Sequence, residues 1–218
     1  GDDGRVLAQR WNGSVDTLDA LDGARVLAVA ASPDAKHAAW LGDDGTRVLW
    51  SLEFGKEVSR SRDTRAQVLA FSPDSRWLAL GRDDKHVTVI DAMSGAESTT
   101  LGPLDGAISA LTWTHDGSGL LTGTTDGAVT LWRVKDARAT RTWKQSLFRV
   151  GALAANEKYV AAGCDDGSVW LFAPDEGEAY AQVPTDSGSL MLVTFTPDGL
   201  VVAGRDRVVH VFPRGDTW

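Results

Sequence analysis

Residues 67–91 read QVLAFSPDSRWLALGRDDKHVTVID, and the order within this stretch decides the fold. One apolar run, Gln67 to Phe71, stops at Ser72-Pro73-Asp74. A second, Trp77 to Leu80, stops at Gly81 and the acidic pair Asp83-Asp84, and a third, His86 to Ile90, stops at Asp91. Ser94-Gly95 then turns the chain into a more polar run, Glu97 to Leu101. Short runs rich in Val, Leu, Thr and Trp, each bounded by Gly, Asp, Pro or Ser, read as strands joined by tight turns. Other runs of this kind are Val26 to Ala31, Val129 to Trp132 and Val208 to Phe212. No segment holds an apolar face at i, i+3, i+4, i+7 over three turns, so the class is all-β.

The stretch repeats. Ser32-Pro33-Asp34 returns as Ser72-Pro73-Asp74, as Thr114-His115-Asp116 and as Thr196-Pro197-Asp198-Gly199. Pro33 to Pro73 is 40 positions, Pro73 to His115 is 42, and His115 to Pro197 is 82, or twice 41. Ala155-Asn156-Glu157 stands where the missing copy belongs. A glycine closing an apolar run before an acidic turn recurs at Gly42-Asp-Asp-Gly45, Gly81-Arg-Asp-Asp84, Gly123-Thr-Thr-Asp-Gly127, Gly163-Cys-Asp-Asp-Gly167 and Gly204-Arg-Asp206, and the chain opens on Gly1-Asp-Asp-Gly4. One period therefore predicts a four-stranded antiparallel unit with apolar inner strands and a polar outer one. A sheet this small cannot bury both faces alone, so units must stack.

The repeats resemble those of the WD-repeat β-propellers along essentially the whole chain. Third strands end in Leu49-Trp50-Ser51, Val89-Ile90-Asp91, Leu131-Trp132-Arg133, Leu171-Phe172-Ala173 and Val211-Phe212-Pro213, where that family places Trp-Asp. No copy has both residues, and Asp22-Gly23 and Asp105-Gly106 stand where the family has Gly-His. His86 to Gly95 is also similar to the YVTN-type propellers. The resemblance implies a β-propeller of about five blades, or a fragment of a larger, for example seven-bladed, one. Residues 1–218 are expected to form one propeller domain or partial propeller. Blades fall at about 24–65, 66–106, 107–147 and 148–188, with partial blades at 1–23 and 189–214. The N-terminal piece reads as third and fourth strands, with Asn12-Gly13 suited to a type I′ turn, and Leu190 to Pro213 reads as first to third strands. The start at a mid-blade glycine points to a piece of a longer chain. Two resolutions of the open ends are weighed: Val15 to Asp22 closes the C-terminal sheet, or each end is completed by another polypeptide. The second is preferred, because the strand Arg5 to Trp11 would be redundant in a closed sheet.

Composition narrows the function. With 22 Lys+Arg against 30 Asp+Glu the formal charge is −8, which argues against a nucleic-acid partner. A lone cysteine, Cys164, excludes an intramolecular disulfide or a cysteine-based zinc cluster, and no apolar run approaches a membrane span. A cytoplasmic setting without membrane association is expected.

Candidate chemistry is sparse. Asp2, Asp3, Asp43, Asp44, Asp83, Asp84, Asp126, Asp165, Asp166 and Asp206 occupy equivalent turns and are expected on one face, each serving its own turn rather than a shared Ca²⁺ ion. His37, His86, His115 and His210 fall at different points of the repeat with no ligand spacing. The thiolate of Cys164 should be suppressed by Asp165 and Asp166. No nucleophile elbow, phosphate loop or dinucleotide fingerprint occurs, so no cofactor and no enzymatic activity are expected. Trp50 and Trp132 share a repeat position and should be core; Trp40, Trp77 and Trp113 also lie in strands; Trp11, Trp143, Trp170 and Trp218 have no obvious packing role, with packing between sheets left open for Trp143 and Trp170. From Arg133 to Arg149 there are six basic residues and one acid, Asp136, whereas Asp175, Glu176 and Glu178 mark an acidic outer strand. Edge protection accounts for such runs, with a docking patch as the alternative.

The resemblance implies a non-catalytic protein-interaction scaffold or sensor module. Arg25, Arg65 and Arg149, before first strands, are expected to share a face with Arg82 and Arg205 and to contact a protein partner, arginine being enriched at interface hot spots. That partner could be an unrelated protein, a second copy of the chain or the remainder of a longer parent. The alternatives are an assembly subunit whose open blades are completed by another chain, and a ligand-binding or enzymatic propeller that uses its central funnel.

Overall fold

The computed structural model describes residues 3–9, 15–21, 23–62, 65–174 and 179–214, without the side chains of Asp16, Asp19, Ala20, Ala179, Tyr180 and Pro184. Asp2, Trp11, Asn12-Gly13, Asp22, Asp175, Glu176, Glu178 and Trp218 lie outside the described residues. β1 (Arg5–Gln9) and β2 (Val15–Ala20) form a two-stranded antiparallel sheet. Four four-stranded sheets follow in chain order. They are β3 (Val26–Ala31), β4 (His37–Gly42), β5 (Thr46–Ser51) and β6 (Lys56–Arg62); β7 (Ala66–Phe71), β8 (Trp77–Arg82), β9 (Val87–Asp91) and β10 (Glu97–Leu101); β11 (Ile108–Trp113), β12 (Gly119–Thr124), β13 (Val129–Arg133) and β14 (Arg138–Trp143); and β15 (Val150–Ala155), β16 (Val160–Cys164), β17 (Ser168–Phe172) and β18 (Ala179–Pro184). β19 (Leu190–Thr196), β20 (Gly199–Gly204) and β21 (Val209–Pro213) close the chain as a three-stranded sheet. Each sheet is a meander in which sequential strands are neighbours, the blade arrangement that the repeat implies. Among the described residues no helix is long and apolar enough to cross a membrane.

The chain divides into two compact units, residues 1–80 with 88–98 and residues 81–87 with 99–218. In the first, Leu41 and Leu49 pack with Phe71, Leu78, Leu80 and Ile90, so apolar faces of successive sheets cover one another. Val6 and Leu21 pack likewise with Trp40 and Val48. In the second unit, Leu121, Val129 and Trp143 join Val150, Val160, Cys164 and Phe172, and the far face of that sheet, with Val169 and Leu171, meets Leu190, Val193 and Leu200. The two central strands of each complete blade are thus apolar on both faces, while outer strands such as β6 and β14 are largely exposed.

The Ser-Pro-Asp turns are locked by their own side chains. The Ser72 hydroxyl donates to Asp74 (2.5 Å) and accepts from the Trp77 N–H (2.9 Å), while the Asp74 carboxylate accepts from the Arg76 N–H (3.1 Å). Ser32 with Asp34 and Thr114 with Asp116 repeat the arrangement. One period links to the next in the first unit, where the Asp34 N–H donates to the Ser75 hydroxyl at 3.0 Å. The degenerate copy differs: Oδ1 of Asn156 accepts from the N–H groups of both Lys158 and Tyr159 at 2.8 and 2.7 Å. That closes the turn within Asn156–Tyr159, two residues fewer than Ser32–His37.

The acidic turns follow one plan as well. In the first blade the Thr46 N–H and hydroxyl donate to Asp44 at 2.8 and 2.7 Å, and the Gly45 N–H closes on the Gly42 carbonyl at 3.0 Å. The residue after the second acidic position is left-handed, with φ of 81°, 86° and 83° at Gly45, Gly127 and Gly167. Lys85 and Arg207 adopt the same conformation, at 72° and 68°, without being glycine.

Trp132 and Trp50 meet different neighbours despite their shared repeat position. Trp132 is 5% exposed and its indole N–H donates to the Thr122 hydroxyl at 3.0 Å. At the position of Thr122 the first blade has Trp40, whose ring lies 6.1 Å from that of Trp50, and neither indole N–H has a partner. Trp143 and Trp170 take the inter-sheet role left open for them: Trp143 is buried against Phe172 with ring centroids 5.1 Å apart, and half-buried Trp170 packs on the same core.

Candidate functional site

The expected partner residues all sit where a first strand begins or where the second strand turns into the third. In the first unit, exposed Arg25 precedes β3 and exposed Arg65 precedes β7. Arg25 donates from Nε to Asp43 at 3.0 Å, and the Asp43 carboxylate also accepts the Arg25 backbone N–H at 2.9 Å. Those two bonds hold the Asp43 carboxyl below its ordinary value. The Asp43 N–H in turn donates to the Arg25 carbonyl at 2.9 Å, so strand entry and turn are tied in both directions.

The second unit holds Arg82, Arg149 and Arg205. Arg82 forks onto Asp84, from Nε at 3.2 Å and from Nη2 at 3.1 Å, and both side chains are four-fifths shielded from solvent. Arg149 reaches Asp165 at 3.5 Å. The Ser189 hydroxyl donates to the same Asp165 oxygen at 2.6 Å, and the Ser189 carbonyl accepts the Arg205 N–H at 3.0 Å. Arg149 and Arg205 are thereby set on either side of one Asp165–Ser189 hydrogen bond. Sequence reasoning did not identify Ser189, whose only signal is its place before β19, the position of Arg149 before β15.

Lys144 is a further cation at this end of its blade. It reaches Asp126 at 2.8 Å, while Oδ1 of Asp126 accepts the Thr124 hydroxyl at 2.5 Å. Burial would push the Asp126 carboxyl up, but the bonds from Lys144 and Thr124 outweigh it and the net shift is downward. The same ion pair holds the Lys144 ammonium above its ordinary value. Cys164, in the next such turn, is buried and its thiol is pushed up to about 11. Burial is the largest cause and the charges of Asp165 and Asp166 add less, so the sequence argument identified a minor contribution.

At the Ser-Pro-Asp end of the second unit lies a recess of about 490 Å³, lined by His115, Asn156, Tyr159, Phe195, Pro197 and Arg214 among others. The shortened Asn156–Tyr159 turn borders it, and His115 stands 3.7 Å from Glu157. His210 accounts for itself in its strand, bonded to the Ser187 hydroxyl at 2.8 Å and stacked on Phe212. Among the described residues no group of three or more His, Cys, Asp or Glu side chains is placed to hold a metal ion.

Comparison with known proteins places these features in context. The family described as "WD domain, G-beta repeat" matches residues 65–91 and 96–133. "Telomerase protein component 1" of Mus musculus is 27% identical over 232 residues, covering 94% of this chain and 9% of that protein. "Small ribosomal subunit protein RACK1y" of Oryza sativa subsp. japonica is 37% identical over 118 residues, covering 50% of this chain and 34% of the relative. "Small ribosomal subunit protein RACK1" of Medicago sativa is 34% identical over 128 residues, with 50% and 39% covered. The chain spans well under half the length of each of these relatives.

Proposed function

The chain belongs to the WD-repeat β-propeller family, and from that premise we propose that it works as a non-catalytic module that presents a rigid surface to a protein partner. In this reading the contacts come from the acidic-turn ends of the blades within each unit, Arg25 and Arg65 in the first and Arg82, Arg149 and Arg205 in the second. The arrangement of Arg149, Asp165, Ser189 and Arg205 carries it. A guanidinium offers five donors, of which Asp165 uses one on Arg149, so most remain for a partner. Holding the side chain beforehand lowers the entropy lost when a partner orders it. A cytoplasmic scaffold or sensor role fits relatives described as small ribosomal subunit proteins.

The test compares proteins cross-linked to the wild-type chain in extract with those cross-linked to the double variant Arg149→Ala/Arg205→Ala. Purified partners from the wild-type sample should bind the variant at least about tenfold more weakly. Unchanged affinity for every captured protein would remove these arginines from the interface.

Assembly through the terminal sheets has its own support. β21 is an outermost strand of its sheet, and Val209 and Val211 on it are 61% and 65% exposed. Exposed apolar edges invite pairing with another chain. Light-scattering mass across a range of concentrations separates this reading from that of a monomeric module.

A further inference from the structure

We propose that the outer strand β14, together with the Leu147–Phe148 tip that follows it, docks an acidic extended segment of a partner protein, which adds to this blade as a fifth strand. Its Leu147–Phe148 tip adjoins Arg149, but the proposal does not rest on the role of the acidic-turn arginines, and the variants that test it leave Arg149 and Arg205 in place. In the sheet order β11-β12-β13-β14, β14 has a neighbour on one side only, so its outward backbone N–H and C=O groups have no ladder partner within the sheet. Such an edge is a template for strand addition, with backbone bonds supplying affinity and side chains supplying selectivity.

The selectivity is written in charge. Of the six basic residues from Arg133 to Arg149, three are answered: Arg133 by Asp136 at 3.2 Å, Lys144 by Asp126 at 2.8 Å and Arg149 by Asp165 at 3.5 Å. Lys135, Arg138 and Arg141 have no ion pair among the described residues. The outer strand of the first blade shows what ordinary edge protection looks like. There Arg60 pairs with Glu57 at 2.7 Å and Arg62 with Asp44 at 3.8 Å, so two of the strand's three cations are answered. β14 and the single 3₁₀ turn before it keep one sign uncancelled, on a chain whose formal charge is −8.

Arg141 adds an independent observation. Its Nη1 is buried and makes no hydrogen bond, and its guanidinium carbon lies 5.9 Å from the centre of the Trp143 ring. A buried cationic donor without an acceptor is costly, and a carboxylate is the acceptor that matches it best. Just beyond the strand, Leu147 is 86% exposed and Phe148 53%, an apolar tip flanked by Lys144 and Arg149. The matching segment is extended, rich in Glu or Asp, and carries an apolar residue at the end that lies beside Trp143. A protein strand fits better than a nucleic acid, because phosphodiesters cannot use the outward carbonyl groups and the acidic chain as a whole repels a polyanion.

A fluorescein-labelled decapeptide of alternating Glu and Thr ending in Leu tests the proposal by anisotropy with the 218-residue chain. We expect saturable binding that weakens at least about tenfold in Lys135→Glu/Arg138→Glu, and by a comparable factor in Leu147→Ser/Phe148→Ser. Lys135 and Arg138 are exposed, so that pair should leave the circular dichroism spectrum unchanged, and Arg141→Gln provides a second charge variant. Amide exchange of Arg138–Trp143 should slow when the peptide is added. The proposal is overturned by no binding at millimolar peptide, by equal binding of the same peptide with Lys for Glu, or by affinity unchanged in the variants. Unchanged exchange in β14, or tighter binding of single-stranded RNA or phosphatidylserine vesicles through the same residues, overturns it equally.

Discussion

Replacing Gly127 by alanine probes the link between backbone conformation and the acidic-turn end of the blades. Gly127 has φ of +86°, and a methyl group there would overlap the Ser146 carbonyl oxygen and lie 2.8 Å from its carbon and 2.9 Å from the Phe148 oxygen. The obstruction is backbone, so no side-chain rotation relieves it. Forcing an L-residue into the left-handed region costs about 1–2 kcal/mol. Moving a packed segment adds about 1–3 kcal/mol. The stiffer unfolded chain offsets about 0.4–1 kcal/mol of that. The net expectation is a loss of about 1–4.5 kcal/mol, equivalent to a fall in Tm of roughly 2–18 °C for a chain of this size. Urea and thermal melts followed by tryptophan fluorescence read it directly, the chain having nine tryptophans. Lys85→Gly is the reciprocal variant. With φ of 72° at the equivalent turn position, relief of strain and the looser unfolded chain nearly cancel, so stability should change by less than about 1 kcal/mol. A Gly127→Ala protein within about 0.5 kcal/mol of wild type would refute the reasoning.

Trp132→Ala should cost about 3–5 kcal/mol in equilibrium unfolding, since the ring is buried and its N–H satisfies Thr122. Ser72→Ala removes a fully buried hydroxyl that serves both Asp74 and the Trp77 N–H, and should cost about 1–3 kcal/mol in the same assay. The carboxyls of Asp34, Asp44, Asp116 and Asp206 are all held below the ordinary 3.8, chiefly by hydroxyl donors on Ser32, Thr46, Thr114 and Ser187 respectively. A lowered folded value stabilises fully above the unfolded value. Melts in an acid series should therefore show this contribution intact above about pH 4 and declining as the pH falls toward the folded values. An Asp44→Asn chain should lose part of that decline.

How far the sequence reaches is clearest at particular residues. Glu97 to Leu101 was legible to the residue as the fourth strand of its unit, because polarity, a Ser-Gly turn and the repeat period all agree there. The acidic turns were legible too, since a carboxylate that caps its own turn acts within a few residues of chain. Period and pattern by themselves determined the all-β class, the four-stranded unit and the two- and three-stranded terminal sheets, because strand alternation and turn chemistry are local. Tertiary structure alone decided which partners those residues meet. Asp165 receives Arg149 from 16 positions away and Ser189 from 24, a convergence that depends on how one strand entry lies over the next turn. Trp143, at the end of a polar outer strand, has no obvious partner in the sequence beyond a general inter-sheet role, and it is 1% exposed because the following sheet brings Phe172 against it. Trp50 and Trp132 occupy one repeat position but differ in bonding, because the diagonal neighbour on the adjacent strand is Trp40 in one blade and Thr122 in the other. A repeat sets where each side chain is sent; packing between sheets sets what it finds there.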